Sequence, residues 1–280
     1  STLYQSTLSR SGAEWFLKPL ALGFSGGLYL GTISAFKGKE AVSATEFTFV
    51  IAPENIQGKH PRVWFDAEGQ TKIREKLRSE RFKGTANGIL ANAKSSRERY
   101  PIAQIVYDID QFPEENWLAT IDGWFDRIVA WRQGVYQNAL AWAFFDDREA
   151  GEYAKDLLVT ICRFPQWVHP WFIKRGQFTY YPVGEAGTEF GIGYDLCYSL
   201  MNDEERKTIR DGLYRNLVSG VHRGYVENNL TTNNTSNWVS NIASGSILAQ
   251  TAVYGDDPSA RIEPFFTGAL FKEYALIQSG

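Results

Sequence analysis

Residues 117–145 read WLATIDGWFDRIVAWRQGVYQNALAWAFF, and within them Trp117, Ile121, Trp124, Ile128, Trp131 and Val135 recur every three or four positions, resuming from Leu140 to Phe145. Only a helix of 3.6 residues per turn gathers such positions on one face. That face is wide and apolar, so it predicts a long helix buried against other elements. Outward from it the same period returns. Residues 67–80 read as an exposed helix with Ile73 and Leu77 four apart, and residues 152–162 carry Leu157, Leu158 and Ile161. Residues 203–218 place Ile209, Leu213 and Leu217 behind Asn202, with Glu205 completing a capping box. Residues 238–254 set Trp238, Ile242, Gly245, Leu248 and Ala252 on one stripe, which ends at Gly255-Asp256-Asp257-Pro258.

Helices that follow one another without strands or strict repeats predict stacked antiparallel hairpins, so the expected class is mainly α, an incomplete (α/α) toroid over residues 62–280. The opening residues differ. Residues 28–35 (LYLGTISA) and 46–51 (EFTFVI) are rich in β-branched and aromatic residues, which predicts a small β-sandwich-like module over 1–53. The turn formers of PENIQGKHP, residues 53–61, mark the linker between them, taken as 54–61.

A chain of 280 residues that is 44% hydrophobic has material for a sizeable core. The net charge of −3 supplies no broad positive field, which argues against a dedicated nucleic-acid binder; a polyanion would have to meet a local basic patch. The 9 Trp and 14 Tyr suit either sugar stacking or a large core. Cys162 and Cys197 sit in apolar helical stretches, where buried thiols are expected, and no metal-ligand spacing or cofactor motif is visible. No apolar run reaches the roughly 18–20 residues of a membrane span. The first residue is Ser with no signal-peptide pattern after it, so such a peptide is absent or already removed.

Three constellations could carry chemistry. Asn233-Asn234-Thr235-Ser236-Asn237-Trp238 clusters amides at the start of the last helix, where free backbone N–H groups and the helix dipole suit a carboxylate; the same residues also make ordinary turns and caps. Residues 164–182 read as a long loop containing Trp167, His169, Trp171, Lys174 and Arg175, a set suited to sugar stacking, proton transfer and anion contact, or to an aromatic cluster beside a solvated charge pair. Glu185 and Glu189 lie four apart on one helix face, as paired carboxylates of a glycoside hydrolase or as substrate contacts. A noncatalytic glycan-binding protein would use the same groups without proton chemistry.

His60-Pro61-Arg62-Val63-Trp64-Phe65, then Tyr194-Asp195-Leu196 through Asp203-Glu204-Glu205-Arg206, then Asn233 to Gly245 and Tyr254-Gly255-Asp256, in that order, resemble the heparinase II/III-type polysaccharide lyases. The resemblance implies an N-terminal β domain before an α/α toroid, an anionic uronate-containing polysaccharide as substrate with glycosaminoglycans first, β-elimination as the reaction, and a secreted or periplasmic setting. It places a carboxylate-neutralising side chain near the last helix start, which makes Asn233 the first candidate and Asn234 and Asn237 the next. It puts the Tyr and His base and acid, and a structural divalent metal, in a later segment expected beyond residue 280, so the chain is expected to be part of a longer polypeptide.

Overall fold

The computed structural model describes residues 8–11, 14–17, 27–38, 40–51, 58–224 and 237–256. These are mainly helical. Near the start, β1 (Leu8–Ser11) pairs antiparallel with β2 (Glu14–Leu17), and β3 (Gly27–Lys37) with β4 (Glu40–Ile51). The second hairpin contains both segments expected as strands, and Gly38 takes the positive φ of 66° at its turn. The register puts Tyr29 opposite Phe49 and shifts by a residue at Ala35 and Phe36.

The helices are α1 (Ala67–Leu77), α2 (Lys83–Arg99), α3 (Trp117–Phe145), α4 (Arg148–Arg163), α5 (Pro170–Ile173), α6 (Tyr181–Cys197), α7 (Asp203–Leu213), α8 (Ser219–His222) and α9 (Asn237–Val253). Asp66 caps α1 through the Gly69 N–H at 2.8 Å, and Asp147 caps α4 through Ala150 at 3.0 Å. The capping box of α7 has both halves, 2.9 Å from Glu205 N–H to Asn202 and 2.8 Å from Asn202 N–H to Glu205. A π-helical stretch, Tyr214–Val218, joins α7 to α8.

The central helix α3 is continuous for 29 residues and buries Ile121, Trp124, Phe125, Ile128, Trp131 and Val135 as its period requires. Against it lie α4 and α6; α9 packs on α6, and α7 on α4. Where α6 crosses α9 the backbones nearly touch. A Cβ on Gly245 would lie 1.7 Å from the Gly184 carbonyl oxygen, and one on Gly187 would lie 2.7 Å from that of Gly245. Only glycine permits this approach. Of the stripe expected on α9, Ile242, Gly245 and Ala252 are buried and Leu248 is partly buried, and Ala249 joins the buried face.

The segment expected as one long loop is corrected. Residues 170–173 form α5, and α6 already begins at Tyr181 with Pro182 at its entry, where the missing N–H of proline costs nothing. Cys162 and Cys197 are buried free thiols. Among the described residues no helix is long and apolar enough to cross a membrane, and no group of three or more His, Cys, Asp or Glu side chains is arranged to hold a metal ion.

Candidate functional site

Side chains from α3, α6 and α9 meet in a depression of about 170 Å³ lined by Arg132, Glu185, Thr188, Glu189, Asn241 and Ser244. Spacing along α6 explains its wall, since positions three and four apart share a face. Arg132 faces that wall from α3. Its guanidinium donates to Glu185 Oε2 at 2.6 Å and to Glu189 Oε2 at 2.8 Å, with all three side chains largely buried. Burial pushes the Glu189 carboxyl up from its ordinary range and the neighbouring Glu185 charge adds to this, against the pull of Arg132. Tyr181, one turn before Glu185, hydrogen-bonds to it, and that bond together with burial holds the phenol protonated above its usual range. Tyr136, one turn beyond Arg132, is pushed up by burial and by the Glu189 charge.

The depression opens beside the beginning of α9. Asn241 lies one turn after Asn237, the first residue of that helix, and Trp238 follows in the first turn. Asn233 and Asn234 lie outside the described residues. The structure therefore brings Glu185 and Glu189 together with the start of α9, and adds Arg132, Thr188, Asn241 and Ser244, which sequence reading passed over. Arg132 is separated from its two partners by 53 and 57 residues, so no local pattern announces the pair.

The aromatic set of residues 164–182 takes the second of its two readings, an aromatic cluster beside surface charges. Trp167 is 1% exposed and donates its indole N–H to the Ile161 carbonyl at 3.0 Å, which leaves no face for a sugar. His169 is 4% exposed; Nε2 bonds to the Phe112 carbonyl at 2.8 Å and Nδ1 accepts the Trp171 N–H, so it caps α5. Desolvation pulls its pKa below the ordinary value, keeping it neutral, and both nitrogens are engaged. Trp171 stacks on Trp117 with ring centroids 5.6 Å apart, while the Arg175 guanidinium covers its ring at 3.7 Å. Lys174 pairs with Glu114 at the surface. Packing and local pairing thus account for all five, and none lines the depression.

A second cluster joins three sequence words far apart in the chain. His60 Nδ1 meets Asp195 Oδ1 at 2.6 Å and His60 Nε2 meets Asp256 Oδ2 at 3.1 Å, with these side chains 4%, 2% and 0% exposed. Asp195 also accepts the backbone N–H groups of Arg62 and Val63. Asp256 accepts from the Tyr194 hydroxyl at 2.9 Å and pairs with Arg62 at 3.2 Å, and Tyr198 stacks on His60 at 3.9 Å. This joint ties residues 58–63 to the C-terminal ends of α6 and α9. Burial disfavours a charged His60, but the hydrogen bonds to Asp195 and Asp256 outweigh it and raise the pKa. Burial likewise works against the Asp256 carboxylate, yet His60, Arg62 and Tyr194 together hold its pKa below the usual value.

No protein-family model matches the chain, and no curated protein matches it.

Proposed function

We propose that the protein is a polysaccharide lyase of the heparinase II/III type, cleaving uronic-acid-containing glycans by β-elimination, with glycosaminoglycans ahead of alginate or ulvan. Its architecture in this reading is a small β-sandwich-like module at 1–53 followed, after a linker at 54–61, by an incomplete α/α toroid, and its setting is secreted or periplasmic. The observation that carries the reading is the depression itself: a guanidinium paired with two carboxylates, an amide and two hydroxyls, from three helices, converge one to two turns into α9. Support also comes from His60 to Phe65, Tyr194-Asp195-Leu196 and Tyr254-Gly255-Asp256, the sequence words of the resemblance, which have one physical reason to occur together in the buried joint.

In the reaction a base removes the C5 proton of the uronate, its electron pair forms the C4–C5 double bond, and the C4–O bond breaks as the leaving oxygen takes a proton. Charge grows on the C6 carboxylate, so donors aimed there lower the barrier. Asn233, Asn234 and Asn237 are assigned that task, with the N-terminal end of α9 adding its dipole. Arg132 is bound to Glu185 and Glu189 at the floor, and burial raises the Glu189 pKa, which lessens the negative charge that an incoming carboxylate meets there. His169 is excluded as the base by its buried, doubly bonded ring.

The test is the ultraviolet absorbance of unsaturated uronate while the full-length protein is incubated with heparin, heparan sulfate, chondroitin sulfate, hyaluronan and alginate. A rise supports the lyase. New reducing ends without absorbance would replace it by a hydrolase using Glu185 and Glu189, a reading favoured by the raised pKa of Glu189 but opposed by the guanidinium that binds both carboxylates. Binding without either signal would mean a noncatalytic glycan-binding protein.

A further inference from the structure

Trp64 is 50% exposed, unlike the other indoles described above, and it sits among residues that are held in place. On one side Val63 donates its backbone N–H to Asp195 at 2.9 Å, and Arg62 does the same. On the other, the Phe65 ring packs against Phe144 at 5.6 Å. The half-open indole leaves a flat apolar face that a ligand ring can cover. Here the backbone on both sides is fixed, so the indole is presented outward with its ordering cost already met on folding.

Among the described residues its ring neighbour is Tyr136, at 5.7 Å and an angle of 84°. Tyr136 follows Arg132 by one turn of α3, and its phenol senses the charge of Glu189. Trp64 touches Tyr136, and Tyr136 shares a face of α3 with Arg132, so an open aromatic ring lies along the same helix face as the charged floor of the depression. A pyranose has a matching pair of surfaces, an apolar face of axial C–H bonds and a polar rim. In a uronate-containing chain, a carboxylate held near Arg132 would carry a neighbouring sugar along this face.

We propose that Trp64, backed by Tyr136, is a stacking subsite for a pyranose ring of a glycan whose uronate occupies the Arg132 depression. The proposal rests on the reading of that depression as a glycan site. It assigns Trp64 a binding role, felt in affinity and KM for chains long enough to reach it, and none in the proton transfers.

The experiment is calorimetric and fluorescence titration of the full-length protein with a glucuronate-containing tetrasaccharide, with free glucuronate, and with a neutral tetrasaccharide of β-linked glucose. Wild type is compared with Trp64→Ala and Trp64→Phe, each checked for an unchanged thermal midpoint. Trp64→Ala is expected to bind the acidic tetrasaccharide about tenfold more weakly, the size of one stacked-ring contact. Trp64→Phe, which keeps a flat ring if Trp64→Ala fails to fold, should retain most of the affinity, and free glucuronate should bind all three proteins alike. Equal affinity of wild type and both variants for the acidic tetrasaccharide overturns the subsite and leaves the uronate reading standing. Trp64-dependent binding of the neutral chain alone supports the stacking ring and overturns the uronate reading. No binding of any of the three glycans overturns both.

Discussion

Replacing His60 by Gln should reveal how much of the fold depends on the joint between residues 58–63 and the ends of α6 and α9. The imidazole is shared between two buried carboxylates at 2.6 and 3.1 Å, and its side chain is 4% exposed. Removing one partner from a buried ion pair costs about 3–5 kcal/mol, because the remaining charge is left poorly compensated. Asp195 keeps the N–H groups of Arg62 and Val63, and Asp256 keeps Arg62 and Tyr194, so the lower end of that range applies. For a domain of this size about 3 kcal/mol lowers the midpoint of thermal unfolding by roughly 6–12 °C. The effect has a pH signature. His60 has a folded pKa above its ordinary 6.5, so its contribution is complete below 6.5 and is lost as pH rises through the folded value. Asp256 behaves oppositely: its folded pKa lies below 3.8, so its contribution is present above 3.8 and is lost as pH falls through the folded value. Circular-dichroism melts of wild type and His60→Gln at a series of pH values should therefore show a gap largest in mildly acid solution and shrinking as pH rises past neutrality. A gap that is independent of pH, or below about 1 kcal/mol, would refute the charged joint.

Gly245→Ala would drive a methyl group to within 1.7 Å of the Gly184 carbonyl oxygen, so α6 and α9 must separate; a loss of about 3 kcal/mol or more is expected in denaturant unfolding, and a loss under about 1 kcal/mol would contradict the close crossing. Arg132→Met leaves Glu185 and Glu189 facing each other, which should lower stability by about 3 kcal/mol at neutral pH and recover part of it in acid as the carboxyls protonate. His169→Gln should leave the pH profile of glycan cleavage in place while lowering the melting temperature, since the ring caps α5; a lost limb in that profile would restore the histidine to the chemistry. Asn233→Ala, Asn234→Ala and Asn237→Ala should each fold normally, and the one that holds the uronate carboxylate should lose about 10²–10³ in rate.

How legible each element was depended on what its buried face is made of. The period of α3 is written in Trp and Ile, and the capping residues of α7 flank an amphipathic run, so both could be read. By contrast α2 buries Ala86, Ala93 and Ser96, side chains too small to make a visible stripe, and it escaped notice. A third case is α6, whose run from Tyr181 is apolar nearly all round and so shows no single stripe; its Gly184, Gly187, Gly191 and Gly193 are contact points with α9, Leu217 and Val135. Site residues followed the same division. Glu185 and Glu189 were readable because their four-residue spacing is local, whereas Arg132 required knowing that α3 and α6 are neighbours. Trp167 and His169 carried the right chemistry in the wrong place: a histidine between indoles has the same local sequence whether it lines a groove or fills a core. Trp64 stood in plain view within the His60 to Phe65 word, with nothing in the sequence to separate it from the buried tryptophans.

The central claim is elimination at a uronate, and the most direct measurement is the product mass after cleavage of a defined uronate oligosaccharide in water enriched in heavy oxygen. An elimination consumes no water, so both fragments should carry only natural oxygen, and their summed mass should equal that of the substrate, with the unsaturated uronate at a new non-reducing end. Fragments heavier by one water, with the label at the new reducing end, would contradict the account and establish hydrolysis in its place.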